Sequence, residues 1–143
     1  VHIPSLKSET ICLVEPLRTN TRCNDGKCDP AGRFWIGTMA NDGAAGAGNL
    51  YRLDGNTLTC VLPNVGVSNG MDWTPDGRTM YYIDTLEREV WAFDFDPVSS
   101  SISNRRVVVK VPEDLGYPDG MCLEPDGNLW VAHWGAGCVC EWD

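Results

Sequence analysis

A proline standing two residues ahead of a glycine recurs in one register, as Pro30 and Gly32, Pro75 and Gly77, Pro125 and Gly127. The glycines lie 45 and 50 residues apart. Between each pair sits Ala31, Asp76 or Asp126. Pro-Asp-Gly is a tight-turn signal, because proline presets φ and glycine accepts the positive φ that closes a turn. Apolar runs follow each turn in the same order. RFWIGT, RTMYYIDT and NLWVAHW come directly after it, then NLYRLD, EVWAFD and CVCEWD, each ending in Asp. TLTCVLP (57–63) and RRVVVKV (105–111) read as outer strands, and TICLVEPL (10–17) reads as another ahead of the first repeat. Each unit is thus four short strands joined by Gly, Pro and Asp turns, which is the signature of a β-propeller. A plain antiparallel sandwich would need three sets of anchors to coincide by accident. No helical period argues for a substantial helix. The expected fold is all-β, with about three blades near 18–64, 65–111 and 112–143 in one partial propeller domain over 1–143.

The same frame holds a polar position. Eight residues ahead of each turn glycine stands Asn24, Asn69 or Asp119. The first strand of a blade lines the central channel, so equivalent positions in successive blades face one axis. Gly70 and Gly120 follow directly, and Gly26 follows Asp25. These glycines are expected to permit a sharp bend and close approach of a ligand to the backbone. Asn, Asp and Gly also build turns for their own sake. Three in register favour a site over three separate turns. Converging amide and carboxylate oxygens suit a hard divalent cation.

Composition narrows the partners. The net charge of −9 makes nucleic acid and anionic membranes poor partners, since phosphate binding needs clustered Lys and Arg. The acidity itself reads as solubility. No apolar run is long enough to span a membrane, and no signal-peptide pattern opens the chain. The seven cysteines are odd in number and include no Cys-x-x-Cys pair. They read as reduced thiols of a cytoplasmic chain, most of them filling core space as small hydrophobes.

RCNDGKCDPAGRFWIGTM, SNGMDW, YYIDT, AFDFDP, ISNRR and PDGMCLEPDGNLWVA together resemble the SMP-30/gluconolactonase/luciferin-regenerating-enzyme family from about residue 20 onward. The resemblance implies a six-bladed propeller holding one divalent metal at the channel mouth and hydrolysing sugar lactones. Animal members are also described as calcium-binding regulators. Matched to the family motifs, Asn69 and Asp119 are metal ligands, and Asp119 is also the presumed acid/base. Arg22 and Asn24 hold substrate oxygens, and Asp42 is the nearest counterpart of an acidic substrate contact after the GTM segment. The cofactor implied is one divalent ion, calcium or zinc first, with magnesium and manganese also compatible with oxygen ligands. The partner implied is a small sugar lactone.

The departures from the family are equally specific. A third metal ligand, a Glu in the first blade, has no match here, and Glu9 and Glu15 read as flanking or outer-strand residues. The chain starts in the outer part of one blade and stops at the third strand of another, which is expected of a partial sequence. Open blade edges would invite self-association. Two classes therefore stand side by side: a metal-dependent lactone hydrolase as the full-length protein, with this partial chain alone expected to be inactive, and a calcium-binding or interaction propeller without turnover. Among the remaining residues, Asp84 is expected to fix a turn and His133 to be packed rather than ligating. The tryptophans at 35, 73, 91, 130, 134 and 142 are expected mostly between blades.

Overall fold

A computed structural model describes residues 8–143, so His2 lies outside the described residues. Three antiparallel sheets follow one another along the chain. The first has the order β1 (Thr21–Cys28), β2 (Phe34–Ala40), β3 (Gly48–Asp54), β4 (Thr57–Val65). The second is β5 (Ser68–Trp73), β6 (Thr79–Asp84), β7 (Glu89–Phe95), β8 (Ile102–Lys110). The third holds β9 (Tyr117–Leu123), β10 (Leu129–Trp134) and β11 (Cys138–Trp142). Sequential pairing within each sheet is the meander of a propeller blade. The helical content of the described residues is two single 3-10 turns, Thr85–Glu87 and Glu113–Leu115.

The repeated turns form as their residues dictate. Gly32, Gly77 and Gly127 adopt φ of 84°, 64° and 105°. Each closes a turn by donating its N–H to the carbonyl three residues earlier: Asp29, Thr74 and Glu124. A β-carbon at these φ values would be strained, which explains the recurrence of glycine.

Packing is between blades. Trp35 and Leu50 of the first blade meet Met71, Trp73, Met80, Tyr82 and Phe95 of the second in one buried cluster. The Trp35, Trp73 and Phe95 rings lie about 6 Å apart in tilted and edge-on pairs, a geometry that adds to their burial. Ile83, Val90 and Val109 of the second blade meet Leu129 and Val131 of the third in another. The inner strands add polar ties. Lys27 on β1 pairs with Asp72 on β5 at 2.7 Å, and the same Asp72 carboxylate accepts the Leu123 N–H of β9 at 2.8 Å. One side chain thus joins all three blades.

Two expectations are corrected here. Residues 10–17 form no strand. No neighbouring strand among the described residues offers them a ladder, and an unpaired strand is not stable on its own. The segment instead lies on the outer face of the first blade, where Ile11, Cys12 and Val14 border a groove with Cys23, Phe34 and Ile36. None of the seven cysteines is buried: Cys23, Cys28, Cys60 and Cys122 are exposed and the others half-buried. They occupy blade faces and outer edges rather than the two cores.

Glu15 anchors the segment, with its side chain only 3% exposed. Its carboxylate accepts from Asn49 at 2.6 Å, Tyr51 at 2.8 Å, Thr38 at 3.2 Å and the hydroxyl of Thr21, and pairs with Arg18 at 3.0 Å. Burial pushes its pKa up, but the donated hydrogen bonds and the Arg18 charge outweigh it and hold the group below its ordinary 4.5. A depressed carboxyl contributes stability that is complete above the unfolded value and lost as pH falls through the folded one. Glu15→Gln is therefore expected to flatten the acid limb of the urea-unfolding midpoint below about pH 4.5, with little pH-dependent change above it.

Candidate functional site

The three polar positions sit on backbone irregularities of one kind. On β1 the pairing passes from Cys23–Thr38 to Gly26–Ile36, on β5 from Ser68–Asp84 to Met71–Tyr82, and on β9 from Pro118–His133 to Met121–Val131. Each time the inner strand advances three residues while its partner advances two. These are β-bulges, which turn a strand and re-aim its side chains. Asn24, Asn69 and Asp119 lie within them. The position is therefore a bulge inside each first strand.

The glycines beside them serve the neighbouring backbone. A β-carbon at Gly70 would stand 2.6 Å from Met121 Cβ and N and 2.8 Å from the Asp119 carbonyl oxygen. At Gly26 it would meet the Trp35 carbonyl oxygen at 2.7 Å. Close approach of a ligand to the backbone is thus not what occupies these two positions. Of the three, Gly120 has no described residue within 4 Å of such a β-carbon.

Arg22, Asn24, Asn69 and Asp119 line one cavity of about 420 Å³. Arg22 donates to the Asn24 side-chain oxygen at 2.9 Å and to the Cys23 carbonyl at 3.1 Å. The Asn24 amide nitrogen donates across the blade boundary to the Ser68 carbonyl at 2.8 Å. The amide of Asn24 is thus committed at both ends. Asn69 is buried, and its amide nitrogen donates to Thr85 Oγ1 at 2.9 Å. The Thr85 hydroxyl donates in turn to the Pro118 carbonyl at 2.8 Å. The site is built on two inter-blade relays, each ending on the residue just before the next polar position.

Unspent oxygens decide what the site can hold. With its nitrogen committed to Thr85, Asn69 has its carbonyl oxygen left over. The half-buried Asp119 carboxylate makes no hydrogen bond to the described residues. These two hard oxygens suit calcium or magnesium and are compatible with zinc. Among the described residues no group of three His, Cys, Asp or Glu is placed to hold a metal ion.

Asp42 is not brought to this cavity. It is exposed in the turn after β2 and accepts the Ala44 N–H at 3.0 Å. Asp84 is buried and fixes a turn, accepting from Gly66, Val67 and Leu86 N–H groups at 2.8, 3.0 and 3.3 Å. His133 is packed at 3% exposure, with Nδ1 2.8 Å from the Leu115 carbonyl. Trp134 lines the cavity and is 66% exposed, and Trp130 is also exposed; both alternate along β10 with Leu129 and Val131, which pack on the second blade. Thr85, Leu86 and Tyr117 line the cavity as well and were not distinguished in the sequence. The one available signal was position, since Thr85 follows Asp84 of YYIDT and Tyr117 stands two residues before Asp119.

Consecutive meander blades packed face to face, with Arg22, Asn24, Asn69 and Asp119 lining one cavity between them, define a β-propeller. The chain belongs to the SMP-30/Gluconolactonase/LRE-like family, whose sequence profile matches residues 1–143. It is 46% identical over 129 residues to regucalcin of Danio rerio, covering 88% of this chain and 44% of that protein. It superimposes on a luciferin-regenerating enzyme with a TM-score of 0.87 at 38% identity, covering 92% of this chain and 45% of the other. A calcium-binding protein, regucalcin, from Agrobacterium tumefaciens matches with a TM-score of 0.86 at 29% identity, covering 91% of this chain and 44% of the other. The chain spans less than half the length of these relatives.

Proposed function

We propose that this chain carries part of the site of a metal-dependent hydrolase of sugar lactones. The observation that carries the reading is the meeting of Asn69, Asp119 and Arg22 in one cavity, each from a bulged first strand or beside its bulge. The family includes gluconolactonases by name. A pure cation site has no need of an arginine facing the same space.

In the reaction, water adds to the lactone carbonyl carbon and the ring C–O bond breaks, giving an open hydroxy acid. Asp119 takes a proton from the attacking water and returns one to the departing ring oxygen. Arg22 is braced by Asn24 and offers its donor fork to the carbonyl or ring oxygen as negative charge develops there. Asn24 orients Arg22 and ties it to the second blade. When bound by the oxygens of Asn69 and Asp119, a divalent cation would polarise the carbonyl and lower the pKa of water.

Acid release from glucono-δ-lactone by the whole propeller that carries this chain, followed above the spontaneous rate, tests this reading. Turnover is expected to vanish after chelation and to return with one or more of calcium, zinc, magnesium or manganese. A second reading, a calcium-binding propeller without turnover, draws on the same two oxygens and on the calcium-binding relative. Saturable calcium binding with no hydrolysis under any of the four ions would favour it and sink the first.

A further inference from the structure

Asn69 can offer the cavity either end of its amide, and only the oxygen end can hold a cation. A half turn about the terminal torsion exchanges two ends of nearly equal size, so shape does not choose between them. The choice is made outside the cavity. The Pro118 carbonyl can only accept a hydrogen bond, so the Thr85 hydroxyl, 2.8 Å away, spends its one proton there. Thr85 Oγ1 then turns lone pairs alone toward Asn69. Only the NH2 end of Asn69 can meet them, and it does so at 2.9 Å. The oxygen end is left to the cavity that Asn69 lines. The direction of the relay is thus set by a backbone carbonyl that cannot donate.

Thr85 is itself held on every side. Its N–H donates to the Val67 carbonyl at 3.0 Å, and its own carbonyl accepts the Arg88 N–H at 3.1 Å. Asp84 before it binds the Gly66, Val67 and Leu86 N–H groups and so fixes the turn that carries it. Thr85 and Asn69 are each only 7% exposed, which keeps water from competing for the amide. All these partners belong to the second blade, its lead-in from β4 and the inner strand of the third. Resting on the cation-site reading of the same cavity, we infer that Thr85 is a positioning residue that holds the Asn69 amide with its oxygen toward the cation. The same hydroxyl ties the β5 bulge to the residue just before Asp119, so it orients one cation ligand and anchors the strand of the other.

The test compares Thr85→Val, which keeps the shape and removes the hydroxyl, with Thr85→Ser, which keeps the hydroxyl, in the whole propeller that carries this chain. In the metal-free protein one Asn69 Nδ2 proton is expected to exchange slowly with solvent, its NMR signal identified by its loss in Asn69→Asp. Thr85→Val should abolish that protection and Thr85→Ser should keep it. Calcium and zinc affinities, read by calorimetry, should fall about tenfold in Thr85→Val, the size of one neutral hydrogen bond, and return in Thr85→Ser. In an Asn69→Asp background the two carboxylate oxygens are equivalent, so Thr85→Val should leave affinity nearly unchanged there. Should Thr85→Val not fold, Thr85→Ala against Thr85→Ser differs by the hydroxyl alone and gives the same readings. An equal loss of affinity in both backgrounds would mean general damage to the bulges and would overturn the positioning role. An Asn69 proton as protected in Thr85→Val as in the parent would overturn it too, and would leave the cation-site reading standing. Protection lost in Thr85→Val and kept in Thr85→Ser, in a protein that binds neither ion, would support the hold on the amide and overturn the cation-site reading.

Discussion

Asp119→Ala is expected to lower lactone turnover by about three orders of magnitude, the combined size of losing a general base and a cation ligand. Stability should move by less than about 0.5 kcal/mol, because the side chain is half-buried and bonds to no described residue. The two proposed roles separate in Asp119→Asn. The amide keeps an oxygen for a cation but cannot take a proton, so cation affinity should survive in part while turnover falls nearly as far as in the alanine variant. Calorimetric titration with calcium and zinc, beside kcat from acid release, reads both. Turnover in Asp119→Ala within threefold of the parent would remove Asp119 from the mechanism and leave the cavity as a binding site.

The blade architecture was legible because turns are written in local chemistry. Pro30-Ala31-Gly32, Pro75-Asp76-Gly77 and Pro125-Asp126-Gly127 each close the turn they announce, and the flanking runs became the strands expected of them. The segment 10–17 has an equally apolar pattern but formed no strand. A ladder needs a partner, and that is not a local property. Likewise the cysteines and Trp134 look like core residues by type, while their exposure depends on which blade faces they meet.

The site was legible in part, and for a physical reason. The polar residue recurs because each inner strand needs a bulge at the same depth, and the register shift appears only once partners are known. Asn24, Asn69 and Asp119 could be aligned from the sequence alone. The relays through Ser68, Thr85 and Pro118 could not, since each crosses a blade boundary or runs to a backbone carbonyl. Asp42 shows the opposite limit. Matching by motif position places it near the substrate, but its carboxylate is engaged in its own turn and exposed.

The second large effect concerns the same bulges. Gly70→Ala should destabilise the fold by at least about 1–3 kcal/mol, the usual cost of overpacking, because the new methyl would meet backbone that has no room to yield. Its closest neighbours would be Met121 N and Cβ at 2.6 Å and the Asp119 carbonyl oxygen at 2.8 Å. Relief requires β5 and β9 to part, which moves Asp119 away from Asn69 and strains the Thr85 bond to Pro118. Stability and turnover should therefore fall together, unlike the effect of Asp119→Ala, where turnover falls alone. Urea midpoints of Gly70→Ala and the parent give the comparison directly. A Gly70→Ala protein as stable and as active as the parent would mean that the inner strands do not meet at this depth. The convergence of Asn69 and Asp119 would then lose its structural basis.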